Sequence, residues 1–254
     1  SGAGSKGLSG GRVLNTTDTT TWGGNTAANN NAIVFSGSGT INNSGSWSDT
    51  NAFASYMQDF TGTNAFNNTA TGIFSKQGSA ITTMEVVYNN SGTTNANAGR
   101  FRMTGGGTSN GNFNVANGAV LDFNTGTHNL NAVTIAGAGT TEISGSTSFN
   151  SVNLNGGTLS SALLISGGNL QGADHILSGP VTWTAGNIRG AASTTVASTL
   201  VISGAGNKGL SGGRVLNTMG TTTWSGNTAA NNNAIIFSGS GTINNAGSWN
   251  DSNA

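Results

Sequence analysis

A block of 52 residues occurs twice in this 254-residue chain, as residues 1–52 and 203–254. The two copies differ at eight positions, so the other 44 residues are identical at an offset of 202. A long and nearly identical period is typical of repeat proteins, in which each unit packs against its neighbours. We therefore expect residues 1–202 to form one full repeat and residues 203–254 the start of the next, without a linker. The overlap also predicts that the chain is a segment of a longer polymer.

Composition restricts the class of protein. Only 6% of the residues are charged, the eight basic and eight acidic side chains balance to zero, and 42 residues are Gly. Scattered and balanced charges provide no electrostatic footprint for nucleic acid or an anionic membrane. One Pro and no Cys exclude collagen and a disulfide scaffold, while the absence of Cys is compatible with secretion. No apolar run reaches the roughly 18 to 20 residues of a membrane-spanning helix.

Short β-strands separated by turns are indicated throughout the chain. Residues 19–22 are a β-branched run that ends on Trp22, and residues 29–31 are three Asn residues that predict a turn before the apolar residues 32–35. Strand and turn alternate about every ten residues, too closely for crossover helices. Parallel strands without helices predict an all-β parallel β-helix, or β-solenoid. At roughly 20 residues per coil, the 202-residue repeat would contain roughly ten rungs spaced about 4.8 Å apart.

Asn pairs mark one corner of the predicted solenoid. They occur at residues 42–43, 67–68 and 89–90, each after an apolar or aromatic residue and before a small hydroxyl residue. Asn tolerates the left-handed backbone of a corner, and stacked Asn side chains can hydrogen-bond as a ladder. We therefore predict Asn ladders along the corners of successive coils.

Residues 53–60 contain the only helix-like pattern, because Phe53, Tyr56, Met57 and Phe60 follow the spacing of one helix face. The pattern leaves two structures open. One is a short helix, and the other is an irregular rung that packs its own aromatic side chains.

Two Gly-rich strings match motifs of catalytic or nucleotide-binding proteins. Residues 2–7, repeated at 204–209, satisfy the dinucleotide-binding pattern, but further Gly residues follow where that motif requires a helix. Residues 7–11 match the nucleophile elbow of hydrolases, but neither copy of the block contains a His. Both strings therefore predict solenoid turns rather than sites.

His128 and His175 are the only candidate bases. We expect each to cap a coil or lie on the surface, with Asp174 pointing away from His175 if both lie on a strand. Glycoside hydrolysis needs two converging carboxylates, and metal sites need clustered ligands. The carboxylates here are dispersed, so we predict no catalytic, cofactor-binding or metal-binding residue. They include Asp18, Asp49, Asp59, Glu85, Asp122, Glu142 and Asp174.

Arg100 and Arg102 should share one face of a strand because they are two residues apart. This pair could contact an anionic glycan, although an ordinary solvated pair accounts for the same spacing. The sequence favours the second interpretation.

Residues 105–123 (GGGTSNGNFNVANGAVLDF), 126–130 (GTHNL) and 179–188 (GPVTWTAGNI) carry a family resemblance. They resemble repeats of giant secreted bacterial β-helix proteins, the filamentous-haemagglutinin-like and autotransporter-adhesin-like surface fibres. The resemblance implies a right-handed parallel β-helix in a surface-exposed or extracellular fibre, with no active site to transfer.

We expect a structural segment of a long extracellular or cell-surface bacterial fibre, such as a biofilm-matrix filament, whose partners are further repeats or copies of itself. An alternative is an adhesin shaft that binds cell-surface or matrix glycans, which would place aromatic and Arg side chains in a groove. A carbohydrate-active enzyme would need carboxylates within about 10 Å of each other. Ice binding would need a flat Thr array, starting from residues 19–21 and 221–223.

Overall fold

The predicted all-β fold is confirmed. The computed structural model describes residues 2–226 and 232–253, which contain no helix and form parallel stacked coils of a β-solenoid of about nine turns. The described strands are β1 (Lys6–Ser9), β2 (Val13–Thr16), β3 (Thr19–Trp22), β4 (Ile33–Ser36), β5 (Thr40–Asn43), β6 (Ser46–Asp49), β7 (Ser55–Thr61), β8 (Ala65–Asn68), β9 (Ile73–Lys76), β10 (Ile81–Met84), β11 (Val87–Asn90), β12 (Thr93–Ala96), β13 (Arg100–Met103), β14 (Gly107–Ser109), β15 (Asn112–Val115), β16 (Val120–Phe123), β17 (Gly126–Ala136), β18 (Thr140–Ile143), β19 (Asn150–Leu159), β20 (Ala162–Gln171), β21 (His175–Leu177), β22 (Val181–Arg189), β23 (Ser193–Val196), β24 (Leu200–Ile202), β25 (Lys208–Ser211), β26 (Val215–Thr218), β27 (Thr222–Trp224), β28 (Ile235–Ser238), β29 (Thr242–Asn245) and β30 (Trp249–Asp251).

The chain forms two compact units, of which the first contains residues 1–122 and 137–139. Three strands make each coil of this unit, and each strand pairs in parallel with the strand three places later in the chain, as β1 does with β4. Lys6 is in register with Ile33, whereas Ile81 is in register with Arg100. The predicted 20 residues per coil therefore suits the later coils. The first coils are longer because loops such as the turn at Asn29, where φ is 62°, extend them.

The second unit contains residues 123–136 and 140–254. Its long strands β17, β19, β20 and β22 continue around a corner of the coil instead of ending there. Gly157 lies within β19 at a φ of 88°, where a Cβ atom would be 2.0 Å from the carbonyl oxygen of Val133. Only Gly combines that backbone conformation with such a close approach. Strands β19 and β20 each contain a Gly pair, at residues 156–157 and 167–168, within the continuous strand.

Aromatic side chains fill the interior of the first unit. Trp47 packs edge-on against Phe66, Phe66 stacks on Tyr88, and Phe74 stacks on Phe101, with ring centroids 5.0 to 5.7 Å apart. These rings are at most 3% exposed. Burial of rings at these distances is a large apolar contribution to the stability of the solenoid.

The predicted Asn ladders are present, but the Asn pairs end strands instead of forming the corners. On the outer face, the amide of each Asn donates to the Asn oxygen of the preceding coil, from Asn89 to Asn67, Asn42 and Asn15. The second Asn of each pair points inward, and the buried Asn68 donates to the oxygen of Asn90 at 2.8 Å. The inner amides also donate to backbone carbonyls at this corner, which explains why an Asn pair precedes it on three successive coils.

Residues 53–60 do not form the short helix that their spacing left open. Ser55–Thr61 is strand β7, with Met57 buried, and Phe53 and Phe60 are 46% and 69% exposed. The two Phe side chains therefore do not pack in the interior, contrary to the alternative of an aromatic-filled rung. A register shift beside Phe35 makes this rung irregular.

Both copies of the repeated block build the same pair of coils. Lys6 is in register with Ile33 in the first copy, and Lys208 with Ile235 in the second, which are the same two block positions. The indole nitrogen of Trp22 donates to the carbonyl of Asn31 at 2.8 Å, and that of Trp224 to Asn233 at 3.0 Å. The sequence repeat is therefore also a repeat of structure.

The two copies differ in which side of their coils is covered. Leu14 is 44% exposed, whereas its counterpart Leu216 is fully buried by the coil that precedes it. Conversely, Phe35 is fully buried, whereas its counterpart Phe237 is 52% exposed. We call residues 6–22 the N-terminal coil and residues 235–251 the C-terminal coil. Each has one uncovered apolar face within the part of the chain that the structure describes.

Candidate functional site

The Gly-rich string at residues 2–7 forms a cage for an ammonium group. The Nζ atom of Lys6 donates to the carbonyl oxygens of Gly2 and Gly4, at 2.8 and 2.6 Å, and to the side-chain oxygen of Asn31. A nucleotide phosphate would need backbone N–H groups instead. The loop presents carbonyl oxygens to this cation, and strand β1 follows it where the dinucleotide motif has a helix.

The second copy repeats this cage. Lys208 Nζ donates to Gly204 and Gly206, at 2.9 and 2.6 Å, and to the side-chain oxygen of Asn233. Lys208 is fully buried, and the loss of hydration lowers its pKa to about 8. The Lys side chain makes the same three hydrogen bonds in both copies. We therefore interpret the cage as a structural element that closes the Gly-rich turn.

The nucleophile-elbow string also lies in a strand. Ser9 ends strand β1 and is exposed, and Ser211 ends strand β25. Neither Ser lies on the strand-to-helix turn that presents the nucleophile in hydrolases. The interpretation of this string as part of a solenoid coil is therefore supported by its local structure.

The two His side chains are buried, so of the two expected positions the surface is excluded and the coil cap is left. His128 Nε2 lies 2.9 Å from the carbonyl oxygen of Thr125, and its ring contacts Phe123 edge-on. His175 Nδ1 lies 2.9 Å from the carbonyl of Ala173, and its Nε2 lies 3.0 Å from the hydroxyl of Thr194. Each His therefore binds a backbone carbonyl, as the alternative of a coil cap predicted.

Burial, together with the charge of Arg214, lowers the pKa of His175 to about 4. Asp174 lies just before strand β21, so the two residues do not alternate along one strand as the sequence analysis considered. Asp174 is exposed and accepts hydrogen bonds from the backbone N–H and hydroxyl of Ser193. These bonds lower the pKa of Asp174. His175 is thus a neutral structural group with both ring nitrogens engaged, and Asp174 does not orient it as in a catalytic dyad.

Asp49 and Lys76 are a buried pair of ionisable residues that the sequence reasoning missed. They are directly in register on β6 and β9, and both are fully buried. Asp49 accepts hydrogen bonds from the hydroxyl of Thr82 and from the amides of Asn51, while Lys76 donates to the carbonyl of Gly78. Burial raises the pKa of Asp49 and lowers that of Lys76, and their mutual attraction opposes both shifts.

Asp59 and Glu85 are two carboxylate residues that lie close together in the fold although they are far apart in the sequence. The backbone N–H of Asp59 donates to Glu85 Oε2 at 3.4 Å, and Asp59 accepts a hydrogen bond from the side chain of Asn64. The two residues are 26 positions apart, so only the coil length could have revealed their proximity. Asp59 is exposed, and a carbohydrate-active enzyme could use such a pair only if the two carboxyl groups converged on one substrate.

Arg100 and Arg102 share a strand face as predicted, and both bind one carboxylate. Arg100 Nη1 and Arg102 Nε lie 2.7 and 2.8 Å from Oδ2 of Asp122. The Asp122 side chain is fully buried beneath the two partly exposed guanidinium groups. An anionic glycan, the alternative that the sequence analysis did not favour, would have to contact these two guanidinium groups. The ion pairs also account for these residues structurally.

Arg214 is a second buried group that the sequence reasoning missed. Its guanidinium donates to the carbonyl oxygens of Arg189, Gly172, Ser193 and Ala173, at 3.0 to 3.5 Å. It therefore joins the corners of successive coils. The counterpart in the first copy, Arg12, is exposed. The sequence contains no signal for this role, because the acceptors are backbone atoms.

The Thr array that ice binding requires is not formed at residues 19–21. Thr19 and Thr21 are followed on the next coil by Ser46 and Ser48, and Ser46 is followed by Ile73.

Comparison of the chain with family models, with curated proteins and with solved structures found no match. Within residues 2–226 and 232–253, no group of three or more His, Asp or Glu side chains could hold a metal ion. No helix in the described part of the chain is long and apolar enough to cross a membrane.

Proposed function

We propose that this chain is a structural segment of a long extracellular or cell-surface bacterial fibre built from tandem 202-residue β-solenoid repeats. The observation that carries the proposal is the equivalence of the two copies, which place Lys6 and Lys208 in the same cage and in the same register with the next coil. A period that is kept in both sequence and structure suits a shaft whose length depends on the number of repeats.

The interior chemistry also supports a mechanical role. The aromatic rings of Phe66, Phe74, Tyr88 and Phe101 are buried, and inward polar groups such as Asn68 are hydrogen-bonded within the stack. Backbone pairing and buried contacts continue from coil to coil within each unit. Such a structure resists unfolding and proteolysis without needing a charged surface.

The adhesin alternative receives less support. It requires aromatic and Arg side chains in a binding groove, whereas the large aromatic cluster is interior and Arg214 binds backbone carbonyls. The exposed rings of Phe53, Phe60 and Phe149 are dispersed in sequence. The Arg100 and Arg102 pair is the one local feature that favours a glycan-binding face.

Labelling of source cells tests the proposed role. Antibodies raised against the whole chain are applied to intact and permeabilised cells and viewed by electron microscopy. We expect labelled filaments outside intact cells. Labelling that requires permeabilisation would contradict the extracellular proposal.

The enzymatic alternative has its own test at Asp59 and Glu85. The chain is incubated with a panel of plant and bacterial polysaccharides, and the release of reducing ends is measured. The structural proposal predicts no release above that of a heat-denatured sample. Release that disappears in Glu85→Gln and persists in the matched control Glu142→Gln would replace the proposal with a catalytic one.

A further inference from the structure

The dipeptide Asn-Gly occurs three times in the chain, at residues 110–111, 117–118 and 155–156. In this dipeptide the backbone nitrogen of Gly can attack the side-chain carbonyl carbon of Asn, because Gly carries no side chain that blocks the approach. The two atoms must come within about 3 to 3.5 Å of each other, so the surrounding structure controls the rate. All three Asn residues are exposed, which leaves local restraint as the difference between them.

Asn117 and Gly118 form the tip of a turn between strands β15 and β16. A hydrogen bond from the backbone N–H of Ala119 to the carbonyl oxygen of Ala116, at 2.9 Å, closes the turn. Gly118 has a φ of 79°, as at the third position of a type II turn. Both tip residues are exposed, and a Cβ atom on Gly118 would meet nothing within 4 Å. The tip therefore projects into open space.

The reacting groups of this turn are free of hydrogen bonds. Within the part of the chain that the structure describes, neither the side chain of Asn117 nor the backbone N–H of Gly118 has a hydrogen-bond partner. The attacking nitrogen and the carbonyl carbon can therefore approach each other by rotation within the turn. Local opening of such an exposed turn costs little free energy.

The Asn-Gly pair at residues 110–111 is restrained at its attacking nitrogen. The backbone N–H of Gly111 donates to the carbonyl oxygen of Asn90 on the preceding coil at 3.0 Å, and that of Asn110 donates to the same oxygen at 2.9 Å. Gly111 is buried, and a Cβ atom there would lie 2.2 Å from the carbonyl oxygen of Gly92. The nitrogen cannot leave this position without breaking a contact between two coils.

The Asn-Gly pair at residues 155–156 is restrained at its Asn. Gly156 has a φ of 78° and open space at its Cβ position, much like Gly118. However, Nδ2 of Asn155 donates to Oδ1 of Asn131 at 2.9 Å, and Oδ1 of Asn155 accepts a hydrogen bond from the backbone N–H of Ala173 at 3.3 Å. The side-chain amide of Asn155 is therefore held by the coils on both sides.

We propose that Asn117 is a site of spontaneous deamidation, at which the folded chain reacts faster than at Asn110 and Asn155. The backbone nitrogen of Gly118 loses its proton to hydroxide and bonds to Cγ of Asn117. The bond from Cγ to the side-chain nitrogen breaks, and ammonia leaves. Water then opens the resulting succinimide ring on either side of its nitrogen, which gives aspartate or isoaspartate. The net reaction consumes water, releases ammonia and exchanges an amide for a carboxylate.

The modification places a negative charge on a chain whose formal net charge is zero. The charge appears on the exposed tip of the turn, and isoaspartate also lengthens the backbone of the turn by a methylene group. Water and hydroxide are the only reactants besides the chain, so the extent of modification depends on time, temperature and pH. The inference does not depend on the proposed fibre role.

Peptide mapping of the whole folded chain by mass spectrometry tests the proposal. The chain is incubated at mildly alkaline pH in heavy-oxygen water and then digested with chymotrypsin in ordinary water, so only product formed in the folded chain carries the heavy isotope. Phe113 and Phe123 flank Asn117, so cleavage after them places the three sites on different peptides. Labelled product should accumulate at residue 117 at least about tenfold faster than at residues 110 and 155. Equal rates at the three sites, or a faster reaction at either of the other two, would overturn the proposal.

The unfolded chain is the matched control for the effect of structure. In urea the turn and the hydrogen bonds between coils are lost, so the three Asn-Gly pairs should react at similar rates. A preference for Asn117 that persists unchanged in urea would overturn the proposal, because the neighbouring sequence would then account for it.

The variant Gly118→Asn tests the attacking nitrogen. Asn tolerates the positive φ of this position, but its side chain hinders the approach of the nitrogen to Asn117. Labelling at Asn117 should slow at least about tenfold in this variant. Labelling at the natural rate would overturn the proposed attack by the backbone nitrogen of residue 118.

Discussion

Arg12 and Arg214 occupy the same position in the two copies of the repeated block, but only Arg214 is buried among backbone carbonyls of preceding coils. The difference arises because residues 172–202 lie beneath the second copy, whereas no described coil lies beneath the first. Identical residues therefore have different environments. The two Arg residues form a matched pair for measuring what coverage by a preceding coil contributes to stability.

Replacement of Arg214 with Ala should destabilise the chain because it leaves four corner carbonyls without their cationic donor. We expect a loss of about 3 kcal/mol in the free energy of unfolding, as for buried hydrogen bonds to a charged group. The control Arg12→Ala removes an exposed side chain and should change stability by less than about 0.5 kcal/mol. Urea denaturation followed by circular dichroism measures both, and equal effects would contradict the structural difference.

His175 should make stability depend on pH between its two pKa values. Its pKa falls from the ordinary value of 6.5 to about 4 on folding, so the unfolded chain binds more protons in that interval. The stability contributed by neutral His175 is complete above pH 6.5 and is lost as the pH falls towards 4, by on the order of 3 kcal/mol.

The variant His175→Gln isolates this contribution, since Asp49 and the other carboxylates remain in both proteins. Free energies of unfolding are measured from pH 7.5 to pH 4. The difference in the free energy of unfolding between the natural chain and the variant should decrease as the pH falls. A constant difference would show that His175 does not titrate as the structure predicts.

Gly92 should tolerate no side chain. A Cβ atom there would lie 2.2 Å from the carbonyl oxygen of Gly72 on the neighbouring coil, where backbone atoms cannot move aside. We expect Gly92→Ala to cost about 2 to 3 kcal/mol through overpacking. The control Gly7→Ala places its Cβ in open space on strand β1 and should be neutral or slightly stabilising. The unfolding temperatures of the two variants should therefore differ clearly, with that of Gly92→Ala the lower.

The inner Asn ladder should contribute more than the outer one. Asn68 accepts from Asn43 and donates to Asn90 and to the carbonyl of Thr93, all within the interior. Asn68→Ala leaves these buried partners unsatisfied and should cost about 2 to 3 kcal/mol.

The neighbouring Asn67 belongs to the partly exposed outer ladder, where water can replace a lost partner. Asn67→Ala should cost less than about 1 kcal/mol. Urea denaturation of both variants checks the ranking. Similar losses for the two changes would contradict the inward placement of Asn68.

The sequence predicted the class of fold because strand and turn signals alternate too closely for helices. Strand β3 at Thr19–Trp22 and the turn at Asn29 are local features, and both were predicted correctly. Residues 53–60 do not form the helix that the spacing of Phe53 and Phe60 allowed. They contribute to a strand instead, because the strand buries Met57 in the interior.

Contacts between coils could not be predicted to the same extent. The distance along the chain from one coil to the next varies from 18 residues, between Asn153 and Gln171, to 27, between Asn15 and Asn42. Without those lengths, the sequence does not reveal that Lys76 lies over Asp49 or that Asp59 meets Glu85. The carbonyl groups that bind Arg214 could not be predicted for a further reason. Every residue has a backbone carbonyl, so the sequence does not distinguish these acceptors from the others.

The central claim, that the 202-residue period is the unit of a continuous shaft, is tested most directly by the contour length of longer chains. Chains with two, three and four repeats are imaged by electron microscopy after rotary shadowing. About nine stacked coils per repeat, each about 4.8 Å apart, predict a constant increment of about 45 Å per added repeat and an unchanged diameter. Particles that form separate globules, or that thicken without lengthening as repeats are added, would contradict the claim.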